Sequence, residues 1–317
     1  MRRKDWRKSL NASGSRLLGC GLMAGVLFAG GAISAPTAPS TPTTVQERIS
    51  EVARSLQSNP KLKKLTETQR ENVVNFIVGN MLFVMLHELG HGAIEQFKIP
   101  ILGREEDTAD NFAIIRLLEV GSAFSHRILV EATRGWFLSD RRDRDSKEPL
   151  YYYDEHGLDK QRAYQIVCIM VGSDPVEFKD LADQTKMPDD RQSTCKIDYD
   201  TAFSGWSTVL KPDLRSPEQP KTKIDVTYGD GQGTLDVYAQ GFRSLRMLEA
   251  VRDRAADLLA WPTPFTLEMQ TCGVINGMWQ HGQNKLTLCY ELAADFADLY
   301  RYNDELTSSK KKKRKSK

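Results

Sequence analysis

Residues 87–91 read His-Glu-Leu-Gly-His. On an α-helix, residues four apart lie one turn above each other, so His87 and His91 would present two imidazoles on one face, placed to grip a single ion. Glu88, about 100° round the helix from His87, would reach a water beside that ion instead of the ion itself. Zinc suits such nitrogen donors, and catalytic zinc sites keep three protein ligands with a fourth position open. A third ligand is therefore required. The stretch GREEDTADNFAIIRLL from Gly103 supplies it, because Glu106 and Asp110 are four apart and share one helical face. Glu106 is the expected third metal ligand. Asp110, one turn on, would accept a hydrogen bond from the far nitrogen of a ligand histidine and fix its tautomer. Glu105 competes for the ligand role, but its neighbour four residues on is Ala109, so no carboxylate shares its face. A helix start that favours negative charge would account for Glu105, Glu106 and Asp107, and accounts poorly for Asp110.

The other three histidines carry less. His156, in YYYDEHGLDKQR, is a candidate catalytic residue. Its neighbours Tyr151, Tyr152 and Tyr153 could donate a hydrogen bond to the oxyanion formed in hydrolysis, against the plainer reading of a helix entry capped near Asp159. His126 reads as an ordinary helix position and His281 as a solvated hairpin residue.

The positioning elements can be read around these residues. TETQRENVVNFIVGNMLFVMLHELGHGAIEQF from Thr66 predicts one long helix, opened by a Thr66/Gln69 capping pair and closed near Phe97 by Pro100 and Gly103. Its second half is apolar nearly all round, which predicts burial at the domain centre, where two histidines and a carboxylate without partners would cost several kcal/mol. A second amphipathic helix is expected over Arg104–Leu118, and a short one around Val45–Leu56, stopped by Asn59 and Pro60. After the polar linker KPDLRSPEQP, strands are expected near Lys223–Tyr228, Thr234–Tyr238, Phe265–Met269, Val274–Gln280 and Lys285–Leu288, with a helix over Phe242–Leu259. A sheet beside the metal-bearing helix could hold an extended peptide as an added edge strand.

The amino terminus reads as an export signal. Six basic residues precede an apolar run over Leu17–Ile33, small residues follow, and cleavage is expected after Ser34. LLGC resembles a lipoprotein site, but Cys20 precedes most of the apolar run, which argues against lipidation. Four cysteines then remain, and nearest-neighbour pairing predicts Cys168–Cys195 and Cys272–Cys289, each bridge worth roughly 3 kcal/mol. The formal net charge of +2 conceals an acidic body, because both the leader and the tail KKKKRKSK are strongly basic. That tail reads as a disordered solubilising end. No nucleic-acid-binding signature accompanies it, so no specific nucleic-acid partner is expected.

HELGH followed by EDTADNFA resembles the gluzincin metallopeptidases, whose motif is HExxH followed by ExxxD. The wider chain resembles the DUF4344 metallopeptidase family through HELGHGAIEQFKIPILGREEDTADNFA, DEHGLDKQRAYQIVCIMVGSDPVEF, DDRQSTCKIDYDTAFSGW and CGVINGMWQHGQNKLTLCYEL, most of the chain beyond Val73. The resemblance implies His87, His91 and Glu106 as zinc ligands, Glu88 as catalytic base and Asp110 as the outer partner. In one respect the chain departs from the expected pattern. The CYEL strand and helix stand at the carboxyl end instead of before the HELGH helix, as in a permutation of the same two units.

The fold expected is α+β, mainly helical, a zincin-like metallopeptidase fold with a small sheet from the C-terminal part. The expected parts are a signal peptide (1–34), a linker (35–60), a helical metal-binding catalytic part (61–210), an α/β part packed on it (211–305) and the basic tail (306–317). The expected function is an exported, periplasmic or secreted zinc metallopeptidase acting on a peptide or protein substrate, with membrane contact only through an uncleaved leader. The competing classes are a non-catalytic zinc-binding scaffold and a membrane-anchored interaction protein.

Overall fold

The apolar stretch that contains the His-Glu-Leu-Gly-His motif forms helix α2, Glu67–Gln96, around which the rest of the chain is built. The structure, a computed structural model, describes residues 45–315, of which residues 304–315 are described by backbone alone. The expected leader and the start of the linker lie outside the described residues. The chain clusters into two units, 1–42 and 43–317, and the second contains everything described below.

Helix α1 (Val45–Ser55) and a 3-10 turn at Leu56–Ser58 precede α2. The capping pair at its start is present. Thr66 Oγ1 accepts from the N–H of Gln69, whose side chain accepts from the N–H of Thr66. Twenty of the thirty residues of α2 are buried. By length and composition α2 could cross a membrane, yet it is the core helix here, packed against α1 and against α3 (Glu105–Val120), α4 (Ala123–Ser146) and α10 (Tyr290–Lys315). Each buried Phe, Leu, Ile or Met in it contributes about 1.5–3 kcal/mol by leaving water. The helix ends where Lys98 turns left-handed, with φ of 52°, and the N–H of Ile99 reaches back to Ile94 O. Pro100 then removes a donor that a further turn would need.

Helices α5 (Asp159–Ser173), α6 (Lys179–Gln184) and α7 (Asp189–Leu210) complete the helical part. The C-terminal part supplies β1 (Ile224–Tyr228), α8 (Asp236–Leu245), α9 (Met247–Leu258), β2 (Phe265–Gln270), β3 (Gly277–Gln280) and β4 (Lys285–Cys289), from which α10 departs directly. The sheet order is β1-β2-β4-β3. The first three are parallel, and β3 is an antiparallel outer strand paired with β4. The fold is thus α+β and mainly helical. Both expected disulfides are present. Cys168–Cys195 ties α5 to α7, and Cys272–Cys289 ties the loop after β2 to the end of β4.

Two expectations are corrected. Thr234–Tyr238 is not a strand but a 3-10 turn running into α8, because Leu235, Tyr238, Ala239 and Phe242 recur at helical spacing and the last three are buried. The single helix expected over Phe242–Leu259 is two helices. Arg246 between them is left-handed, with φ of 54°, and its N–H is taken by Arg243 O and Phe242 O. The backbone of α10 continues to Lys315. Lysine and arginine are good helix formers, and their charge suits a helix C-terminus.

Candidate metal centre

His87 and His91 lie on one face of α2, buried, with their rings edge to face and their Nε2 atoms 3.2 Å apart. The backbone of α3 passes close by at Gly90, where a Cβ would stand 3.1 Å from Ala109 Cα. A side chain there would push the helices apart. The close approach brings Glu106 Oε2 to 3.0 Å from His87 Nε2 and 3.4 Å from His91 Nε2. His87 Nδ1 donates to Asp110 Oδ1 at 2.8 Å, and His91 Nδ1 donates to Glu105 Oε1 at 2.8 Å. The competing carboxylate Glu105 therefore faces the outer nitrogen of His91, and Glu106 faces both inner ones. Carboxylates only accept, so both Nδ1 atoms carry hydrogen and both Nε2 atoms of neutral rings offer lone pairs to the same point.

The donor set fits a cation on this geometry. Ligand atoms about 2.0–2.1 Å from a tetrahedral zinc stand roughly 3.3 Å apart, and the three donors here stand 3.0 to 3.4 Å apart. Two lone pairs and a carboxylate facing one another repel unless positive charge lies among them. In the metal-free chain that charge must come from protons. Burial opposes protonation of His91, but its hydrogen bonds to Glu106 and Glu105 outweigh it and raise the ring to about 9. Burial would raise Glu106, yet hydrogen bonds from His156, His87 and His91 hold it far below the usual carboxylate range.

Behind His87 stands a residue that sequence reasoning missed. Arg162 of α5 grips Asp110 with two donors, Nε to Oδ2 at 2.8 Å and Nη2 to Oδ1 at 2.7 Å, and its guanidinium lies 3.9 Å from the ring centroid of Trp136. Burial would lift the carboxyl of Asp110, but the adjoining Arg162 charge keeps it at about 2. Arg162 stands in the polar start DKQR of α5, so nothing in its sequence neighbourhood signals the contact.

Glu88 is buried, and its Oε2 accepts from the backbone N–H of Trp279 on β3 at 2.7 Å. The indole of Trp279 packs on Gly92, where a Cβ would lie 2.9 Å from the ring, and its Nε1 donates to Glu95. The outer strand β3 thus has its Trp279 N–H directed at Glu88. A cleft of about 440 Å³ opens onto His87, Glu88, His91, Glu106, His156 and Met278. A larger cavity of about 1450 Å³ lies between α3, α5 and α7 and is lined by no histidine or glutamate, so size does not mark the chemistry.

His156 joins the cleft, with Nε2 2.9 Å from Glu106 Oε2. Tyr151, Tyr152 and Tyr153, expected as oxyanion donors, do not line it. They stand exposed on the preceding turn, where the Tyr151 and Tyr153 rings pack on each other instead. His126 pairs with Glu177 and His281 with Glu95.

Two helix-borne imidazoles converging on one glutamate, beside a second, buried glutamate, make a candidate metal centre in this α+β chain. The DUF4344 family model, described as "Putative metallopeptidase", matches residues 45–210, and the chain belongs to that family. No curated protein and no solved structure matches it. The match contains every candidate metal donor and ends before the sheet that supplies Trp279.

Proposed function

We propose that this protein is an exported, zinc-dependent peptidase of gluzincin type, in which His87, His91 and Glu106 hold the metal and Glu88 is the general base. The convergence of the three donor atoms at 3.0 to 3.4 Å, next to a buried Glu88, carries the reading. Such a cation, when bound, polarises a carbonyl and makes water more acidic.

The chain does the rest. Glu88 accepts a proton from the attacking water and returns it to the departing amine, so one O–H bond breaks and one N–H bond forms. An ionised carboxylate has about four acceptor sites, so Glu88 can keep the Trp279 N–H and still take that proton. Trp279 thereby orients the base. Asp110, itself held by Arg162, keeps the His87 ring in place and raises its basicity. A peptide or protein substrate would enter the cleft along β3. Two disulfides fit an oxidising, extracytoplasmic setting, which supports export.

The test is metal content and digestion of a peptide library by the mature protein, purified without chelators, beside Glu88→Gln. Zinc at one per chain in both, with turnover lowered about 10²- to 10⁴-fold in the variant, is expected. Equal turnover, or protein without metal, overturns the reading.

A further inference from the structure

We propose that His156 is a fourth protein donor to the same cation, carried on the loop between α4 and α5, so that the resting site is closed by the chain itself and opens when that loop withdraws. This rests on the metal-centre reading above and extends it to regulation of the site.

The wiring of the three imidazoles is the central observation. His87 and His91 each place Nδ1 on a carboxylate and Nε2 toward Glu106. His156 repeats that pattern. Its Nδ1 lies 3.1 Å from Asp154 Oδ1, which also accepts the His156 backbone N–H at 2.9 Å, and its Nε2 points at Glu106. An outer carboxylate on one ring nitrogen fixes the tautomer that leaves the other free to bind metal. The His156 ring lies at 28° to that of His87, centroids 6.2 Å apart, and the donor atoms of His87, Glu106 and His156 fall within 4.8 Å of one another. His91 lies outside that group, so His156 must swing toward it for three imidazoles and one carboxylate to fill four-coordinate zinc.

What separates His156 from the others is its backbone. It sits between the end of α4 at Ser146 and the start of α5 at Asp159, on a connection without helix or strand. Its side chain is 44% exposed, against 4% for His87 and 9% for His91. Four protein donors fill a tetrahedral ion, so a reacting group must add as a fifth ligand or displace a donor, and displacement needs a donor that can leave. The half-exposed donor on a loop leaves at least cost, because the others are fixed on packed helices. Its departure breaks one dative bond from Nε2 and transfers no electron.

The experiment loads the mature full-length chain with cobalt(II), or with zinc under chelator competition, for wild type, His156→Ala, His156→Gln and His87→Ala. Circular dichroism checks that each is folded. We expect both His156 variants to bind one ion, with zinc affinity lower by at least about tenfold and a cobalt visible spectrum altered by loss of a nitrogen donor. Small-peptide turnover per bound metal should rise, because the donor that closes the site is gone. Asp154→Asn, which spares the imidazole, should shift the spectrum in the same direction by less. Wild-type spectrum and affinity in His156→Ala and His156→Gln overturn this inference while leaving the three-donor centre standing, as does a loss of turnover with unchanged affinity. If wild type binds neither ion, or His87→Ala binds as well as wild type, the metal-centre reading itself falls.

Discussion

His87 and His156 turn the same ring nitrogen, Nε2, to Glu106 from two unlike regions of the molecule. His87 rides a helix with most of its residues buried, and its outer partner Asp110 is held by Arg162, which in turn lies on Trp136. His156 rides a loop, and its outer partner Asp154 is 52% exposed. A carboxylate in water gives a histidine an orientation at little cost and little gain. A carboxylate buried with a paired guanidinium gives it a fixed position, because any motion would leave a charge without its partner. One chemistry is thus mounted twice, once rigidly and once loosely.

The contrast is broken most directly at the two outer carboxylates. Asp110→Ala removes the carboxylate that, among the described residues, is hydrogen-bonded to Arg162 and leaves a buried cation, which is expected to cost about 3–5 kcal/mol of stability. It should also lower zinc affinity about 10- to 100-fold through His87. Urea unfolding of the metal-free variant and chelator competition measure the two. A loss below about 1 kcal/mol would show that the Asp110–Arg162 pair is not the anchor claimed for it.

The rigid mounting was far more legible in the sequence than the loose one. The four-residue spacings of His87 with His91 and of Glu106 with Asp110 carry their own geometry once a helix is assumed, and the Thr66/Gln69 cap and the apolar run declare that helix. The disulfides followed from nearest-neighbour pairing. Arg162 and Trp279 did not show, since they meet Asp110 and Glu88 across 52 and 191 residues and no local period encodes such contacts. The roles of Gly90 and Gly92 exist only through Ala109 and Trp279, which pack on them. Arg246 breaks a helix without glycine or proline, because packing of α8 and α9 decides there over local propensity. His156 stands out in the sequence as a candidate catalytic residue, with the neighbouring tyrosines as the expected oxyanion donors, but nothing in a loop sequence says which way a ring points.

Protonation sharpens the comparison at intermediate size. In the metal-free chain the fold raises His91 from an ordinary 6.5 to about 9, so it favours the protonated ring. The stability this gives is fully present below about pH 6.5 and is lost as pH rises through about 9. Zinc needs neutral imidazoles and binds more tightly as protons leave, so the trend should flatten or reverse with metal. Thermal unfolding from pH 6 to 9.5, with EDTA and with equimolar zinc, reads both arms. A metal-free melting temperature constant over pH 6.5–9 contradicts the claim that protons stand in for the cation.

The smallest effect belongs to the exposed carboxylate. Asp154→Ala removes the partner of His156 Nδ1 and the acceptor of its backbone N–H, at the surface, and water can replace both. Its stability should stay within about 0.5 kcal/mol of wild type in the same urea experiment that registers several for Asp110→Ala. The ratio of the two is the measure of how differently the two mounts are built. Should Asp154→Ala cost as much as Asp110→Ala, the loop is as firmly packed as the helix, and His156 could not be the donor that gives way.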